Sequence, residues 1–208
     1  MTQLLAMLVT TVALQASAPP SPSDLFPLKP GTSWLYEKRS NIAASAVGYG
    51  LEVVGKADID GAVAWEVTTT DADKGGRTLY RADAKGVYLV AIGSPPMLLT
   101  PPMPLLVAPV NAGTKWSWSG EMPLPQGSIA CKLEARVVGT ERLLVLGKQE
   151  ECVKVETKSQ LGSGRAAIAV VRTSWYAPAI GLVKEQTEYR DGKDKLTETV
   201  VLTRYSKS

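Results

Sequence analysis

The strongest constraint on this chain is an internal repeat. Pro30-Gly31-Thr32-Ser33-Trp34-Leu35-Tyr36 returns at an offset of 82 as Ala112-Gly113-Thr114-Lys115-Trp116-Ser117-Trp118. Val53-Val54-Gly55 returns as Val137-Val138-Gly139. Arg77-Thr78-Leu79-Tyr80-Arg81-Ala82, followed by Gly86, returns as Arg172-Thr173-Ser174-Trp175-Tyr176-Ala177, followed by Gly181. The order is kept while the offset grows to 95, so the second copy is longer inside its middle hairpins. Self-similarity of this kind decides architecture ahead of any local propensity.

Within each copy the hydrophobic period is two. Trp65, Val67 and Thr69 alternate with Glu66 and Thr68, and Val153, Val155 and Thr157 alternate with Lys154, Glu156 and Lys158. Such alternation marks strands with one face in a core and one in water. Asp60-Gly61 and Asp191-Gly192 lie between alternating runs and suit the φ > 0 positions of two-residue hairpin turns, and Gly86 and Gly181 are expected in the same role. No stretch has a convincing amphipathic helical pattern. The expected fold is all-β: about nine or ten antiparallel strands, duplicated, forming one strongly curved sheet, a half-barrel or a flattened barrel. Neither copy has much core of its own, so the two are expected to share one.

The domain organisation follows. Residues 1–18 read as a signal peptide, with an uncharged apolar run from Leu4 to Leu14 and Ala16-Ser17-Ala18 at the cleavage site. A retained N-terminal anchor is the alternative, but the run is short of the roughly 20 residues that span a bilayer. Residues 19–31 read as a Pro/Ser-rich linker, 32–93 as the first β repeat, 94–113 as a Pro-rich apolar connector and 114–208 as the second β repeat. No second apolar span follows, and no lipobox cysteine lies near the cleavage site, so a soluble periplasmic or secreted protein without a membrane span is expected.

The connector Ser94–Pro109 mixes six prolines with Met97, Leu98, Leu99, Met103, Leu105, Leu106 and Val107. Proline removes amide donors, so this is not a central strand. It is too apolar for an ordinary linker. Either it covers an opening of the sheet, or Met97, Leu98, Leu99, Met103, Leu105 and Leu106 present a surface to an apolar ligand.

Several chemistries are excluded or weak. The chain has no histidine, which removes Ser-His-Asp and Cys-His catalysis and histidine metal ligands. Cys131 and Cys152 are the only cysteines and have no C-x-x-C spacing. An even count in an exported chain favours a disulfide between them, closing a loop of about 20 residues for about 3 kcal/mol, with two buried thiols as the alternative. No phosphate-binding glycine loop is present, and no metal or cofactor is expected. Net charge is +3, from 23 basic and 20 acidic residues spread evenly, which is too balanced for a nucleic-acid surface. The carboxylate pairs Asp58/Asp60, Asp71/Asp73, Glu150/Glu151 and Glu185/Glu188 all fall at turns or on polar strand faces, where solubility and turn chemistry account for them. Trp34, Tyr36, Trp65, Trp116, Trp118, Trp175 and Tyr176 read as core anchors before they read as a stacking platform, because both copies place them alike.

At Trp175-Tyr176-Ala177-Pro178-Ala179-Ile180-Gly181-Leu182-Val183-Lys184 the chain resembles a broad group of exported bacterial proteins of unknown function. Their other recurring pieces match Pro27-Leu28-Lys29-Pro30-Gly31-Thr32-Ser33-Trp34 and, more loosely, Gly147 through Val155. The chain departs from the group at Ala179, often Gly there, and at Leu146-Gly147-Lys148, often Pro-Ala-Gly-Thr. The resemblance implies an extracytoplasmic β fold and no established activity. The sequence therefore points to an exported non-enzymatic protein of the envelope, with a lipid or other apolar ligand in the concave sheet. The alternative is a structural or protein-interaction module with a filled core and an envelope protein as partner. A hydrolase acting through carboxylates is a distant third.

Overall fold

The computed structural model describes residues 19–59, 61–70, 76–124, 126–164, 167–192 and 194–207. Twelve strands follow one short helical turn, α1 (Pro22–Leu25): β1 (Ser33–Ser40), β2 (Val47–Ile59), β3 (Ala62–Thr69), β4 (Arg77–Asp83), β5 (Gly86–Ile92), β6 (Met97–Val107), β7 (Lys115–Leu124), β8 (Gly127–Val145), β9 (Lys148–Leu161), β10 (Ile168–Ala177), β11 (Gly181–Asp191) and β12 (Asp194–Ser206). They form a single antiparallel sheet in the order β6-β5-β4-β3-β2-β1-β12-β11-β10-β9-β8-β7. Chain neighbours pair throughout except β6 and β7, which form the two edges, and β1 pairs with β12, so the first and second halves are joined edge to edge and curl into a nearly closed barrel.

The strand count exceeds the expected nine or ten chiefly because the connector is itself a strand. β6 pairs with β5 through Met97, Leu98, Met103, Pro104, Leu106 and Val107. Its prolines leave it without a ladder on the other side, so it is an edge strand, as the missing N–H groups require. The seam between β6 and the other edge, β7, is bridged by side chains. The Trp116 indole donates to the Pro104 carbonyl at 3.3 Å and the Trp118 indole to the Pro101 carbonyl at 2.9 Å. The tryptophans of the second repeat thus supply the donors across the seam that the prolines of the connector lack.

The two starts are built alike. Gly31 N donates to Val53 O and Val53 N to Thr32 O; Gly113 N donates to Val137 O and Val137 N to Thr114 O. The next residue is a bulge in both: Val54 between Val53 and Gly55, and Val138 between Val137 and Gly139. A bulge bends its strand and increases the local twist. Past it, the β8–β9 hairpin has lost its neighbours, since β7 stops at Lys115↔Arg136 and β10 at Tyr176↔Val153. The β2–β3 hairpin likewise runs beyond the last β3–β4 pair, Trp65↔Tyr80. Both hairpin ends therefore project as arms from the same end of the barrel. Each turns back on the outer wall. Val145 and Cys152, with the half-buried Leu143, pack on Trp175, Ala177 and Val183. Ala64, with Ala57 and Ile59, packs on Leu79 and Ala91.

The same end of the barrel is plugged. Residues 19–31, expected as a linker, instead carry α1, capped by Ser21 and Asp24 in a reciprocal capping box. They drive Leu25 (0% exposed) into a cluster with Val87, Leu106, Val110, Val137, Val153 and Tyr176. Leu28 joins Trp34, Tyr36 and Val53. Ala179 N donates to Asp24 O at 2.7 Å, fastening the plug to the β10–β11 turn. Toward the opposite end, Leu89, Leu99, Met103, Trp118, Cys131, Leu133 and Ala135 fill the barrel behind the seam.

Two local expectations need correction. Cys131 and Cys152 are both buried free thiols. Cys131 pairs with Leu161 and Cys152 with Glu141, so nine residues of β9, about 30 Å of strand, separate them, far beyond the reach of a disulfide. They also face opposite sides of the sheet, Cys131 in the core behind the seam and Cys152 under the arm. Gly86 is not a turn residue: it pairs with Asp83 and with Val107. It is glycine because a Cβ there would lie 2.4 Å from the Leu106 carbonyl oxygen. Gly181, at φ +102, does take a conformation that suits glycine.

Candidate functional site

The six connector side chains do not form one surface. Alternation along β6 sends Leu99 (2% exposed) and Met103 (8%) into the core, and the register shift at Leu105 brings Leu106 (0%) to the same side, with Leu105 half-buried beside them. Leu98 points outward at 44% exposed, and Met97 lies against Gly93. The inward set is shared between the plug cluster and the seam cluster, so the concave face is occupied by the protein's own side chains.

Midway along the barrel the inward face turns polar. Arg172 Nε lies 3.5 Å from Glu185 Oε1, and the Ser174 hydroxyl donates to Glu185 Oε2 at 3.0 Å. Tyr36 stacks on Tyr49 at 5.3 Å and donates its hydroxyl proton to the Leu182 carbonyl at 3.0 Å. Burial pushes Tyr49 and Tyr80 up to about 12, and Tyr36 and Tyr176 well above the usual phenol range, with Glu185 adding to each. Burial disfavours the Arg172 charge, but Glu185, Tyr189 and Tyr176 together more than offset this and keep the guanidinium a cation. The belt joins one ion pair, Arg172 with Glu185, to a set of buried neutral phenols, of which Tyr36 donates to a backbone carbonyl; Arg172 Nε is buried without a hydrogen-bond partner.

The carboxylate pairs do not assemble either. Strand positions an odd number apart face opposite sides: Glu185 points inward to Arg172, whereas Glu188 points outward to Arg190 and Lys195. Glu151 accepts from the Thr140 hydroxyl, and Glu150 pairs across with Leu143. Asp58 accepts from Gly61 N in a turn. Asp60, Asp71 and Asp73 lie outside the described residues. Among the described residues, no group of three or more Cys, Asp or Glu side chains converges as a metal site. No helix among them is long and apolar enough to cross a membrane.

A cleft of about 290 Å³ lies beside the plug, lined by Phe26, Leu28, Thr32, Trp65 and Ala82, and others lie along the outer strand faces and the arms. One of about 460 Å³ crosses β7, β8 and β9 and is lined by Lys115, Glu134, Arg136, Glu156 and Lys158, a charged ladder in which Arg136 pairs with Glu156 at 3.1 Å. One of about 210 Å³ lies between the first arm (Ile59, Ala62, Val63, Ala64) and β5–β6 (Val90, Leu98, Leu99, Pro102), with Arg81 at its border. Arg81 Nε is buried without a hydrogen-bond partner; Asp83 is 3.8 Å away and the Tyr88 ring sits 5.1 Å from the guanidinium. A third, of about 470 Å³, lies at the plugged end between Pro19, Pro20 and the base of the second arm at Gly139, Thr140 and Glu151. Sequence reasoning missed the arms. The Val-Val-Gly repeat was their signal, since a doubled valine breaks strict alternation at the point where each strand bends.

No protein-family model matches the chain, and no curated protein does. Among solved structures, the fold is similar to that of a candidate lipoprotein of Parabacteroides distasonis, with TM-score 0.57 and 14% identity over 91% of this chain and 100% of that one. Two weaker likenesses are to a candidate exported protein of Bacteroides fragilis with a YmcC-like fold (TM-score 0.49, 14% identity, 88% of this chain and 98% of that one) and to the hypothetical lipoprotein YmcC of Escherichia coli (TM-score 0.42, 11% identity, 91% and 90%). The first establishes a shared fold; at such identity a fold carries no activity with it.

Proposed function

We propose that the chain is an exported, non-enzymatic accessory protein of the bacterial envelope that acts through its outer surface, as an interaction module with a filled barrel. The observation that carries this reading is the plugged interior: Leu25, Leu99, Met103 and Leu106 occupy the space an apolar ligand would need. A ligand carrier needs a chamber of several hundred Å³ lined by apolar groups. The export part rests on the apolar leader Leu4–Leu14, on the W-Y-A-P resemblance, and on a fold shared with a candidate lipoprotein.

A second reading is favoured by one feature, the apolar outer groove bordered by Arg81. That groove suits an amphiphile with an anionic head, with Leu98 and Leu99 as the contacts kept from the sequence reading. Native mass spectrometry with organic extraction, on protein purified from its own envelope, separates the readings. The bare chain mass is expected. A stoichiometric acyl adduct lost on Leu98→Glu would move the function to the groove. An adduct that survives Leu98→Glu would place the ligand in the interior and overturn the filled-module reading.

A further inference from the structure

Thr32 is 1% exposed, and its hydroxyl is buried with no hydrogen-bond partner. A sealed hydroxyl left unpaired is costly and uncommon in a folded chain. The internal repeat supplies the control. Thr114 is the counterpart of Thr32 and closes the same turn: Thr32 N donates to Lys29 O and Thr114 N to Asn111 O, each at 3.0 Å. The Thr114 hydroxyl donates to the Pro109 carbonyl at 2.8 Å. Pro27 holds the place of Pro109 in the first copy, yet the Thr32 hydroxyl does not use its carbonyl. The turn itself can satisfy this hydroxyl, so the orphan in the first copy is not forced by the turn.

Thr32 lines the cleft of about 290 Å³ beside the plug. That size is at the lower end for small-molecule sites, which run to roughly 300–1,000 Å³. The walls are largely apolar and carry two aromatic rings, Phe26 and Trp65. Phe26 is braced by Tyr80, with ring centroids 5.0 Å apart, so this wall is fixed in place.

The charge at the cleft is biased to one sign. Lys29 and Lys207 border it, both are exposed, and neither has an ion-pair partner among the described residues. Lys56 adds a third cation, 4.8 Å from the Trp65 ring centroid. The one carboxylate on the lining, Asp24, already accepts from the Ser21 amide and the Ser21 hydroxyl. Aromatic walls, a free hydroxyl and unpaired positive charge therefore meet at one place, and an anion on a flat apolar body answers all three.

We propose that this cleft binds a small aromatic acid, with its ring against Phe26 and Trp65 and its carboxylate accepting from the Thr32 hydroxyl and facing Lys29 and Lys207. The site goes beyond the interaction-module reading and is compatible with it, because the ligand lies beside the plug and the barrel stays filled.

The test is isothermal titration calorimetry of the exported chain with 2-naphthoate and with its uncharged counterpart, 2-naphthamide. Wild type is expected to bind 2-naphthoate with a Kd of about 0.1 mM. The amide should bind about tenfold more weakly, and Lys29→Gln/Lys207→Gln should lose about tenfold for the acid while leaving the amide unchanged. Thr32→Val keeps the shape and removes the orphan hydroxyl, so it should raise Tm while weakening acid binding about fivefold. A Thr32→Val protein that gains stability and binds the acid as before would overturn the proposal, since nothing would then pair with the hydroxyl from the cleft. Equal binding of acid and amide would overturn it as well, and so would the absence of binding heat at millimolar acid; each of these leaves the accessory reading standing. An interior acyl adduct would instead overturn the filled barrel, and acid binding that is lost with the lysines would still uphold the cleft.

Discussion

The plug makes a sharp prediction at Leu25. Its side chain is fully buried at 0% exposed, and its neighbours Val87, Leu106, Val110, Val137, Val153 and Tyr176 come largely from paired strands. Such walls cannot collapse to fill a hole, so Leu25→Ala loses the transfer energy of the removed carbons and keeps most of the cavity. Leu→Ala changes in cores cost about 2–5 kcal/mol, and a rigid surround puts this one at about 3–4 kcal/mol. For a domain of this size each kcal/mol is roughly 2–4 °C in Tm, so a fall of about 10 °C is expected. Denaturant titration of the exported chain, with m-values compared, measures it. Ile42→Ala is the control, because Ile42 is 77% exposed and its change should stay within about 0.5 kcal/mol. If Leu25→Ala costs no more than Ile42→Ala, residues 19–31 are a linker after all and the filled-interior argument fails with them.

Other outcomes follow from the same structure. Trp118→Phe removes the indole that satisfies the Pro101 carbonyl, and should cost about 1–3 kcal/mol and speed amide exchange in β7 before the rest of the sheet. Ala179 sits at φ +62, so Ala179→Gly should relieve about 1–2 kcal/mol of left-handed strain against about 0.5–1 kcal/mol of added chain entropy, a small rise in Tm. Tyr36, Tyr49, Tyr80 and Tyr176 have raised folded values, so the unfolded chain ionises them first. Their contribution is fully present below about pH 10 and is lost as pH rises toward 12 and beyond; phenolate absorbance should therefore appear for these four only together with loss of structure. Burial pushes the Cys152 thiol up to about 11. Both Cys131 and Cys152 should resist alkylation in the native protein and label fully after denaturation without reductant; a native mass two hydrogens light would refute the free-thiol geometry.

How much of this was legible in the chain differs from element to element. Trp34 with Trp116, and Tyr36 with Trp118, were readable as core anchors because the two copies place them alike; the structure buries Trp34, Tyr36 and Trp118 and half-buries Trp116. The alternation in β3 and β9 was readable because a sheet face is a local, period-two property. The proline-rich segment misled in part: its missing donors correctly barred a central strand, but nothing local says that tryptophans 12 and 17 residues further on would donate to Pro104 and Pro101 across a seam. The candidate contacts Met97, Leu98, Leu99, Met103, Leu105 and Leu106 do not share one face, with Leu99, Met103 and Leu106 buried and Leu98 exposed. A strand deals alternate side chains to opposite faces, and the sequence does not say which face is already full.

What the sequence determined by itself is the all-β class, the curved sheet and the absence of histidine chemistry, because repeat, alternation and composition act residue by residue. Only the tertiary structure decided that residues 19–31 plug the barrel, that Cys131 and Cys152 lie too far apart to bridge, and that two bulged hairpins become arms with one bare face. Each of these depends on what arrives from distant sequence at the same point in space: Val110 and Tyr176 around Leu25, and Trp175 beneath Val145. Contacts of that kind are set by register, twist and closure of the whole sheet, which no local window contains.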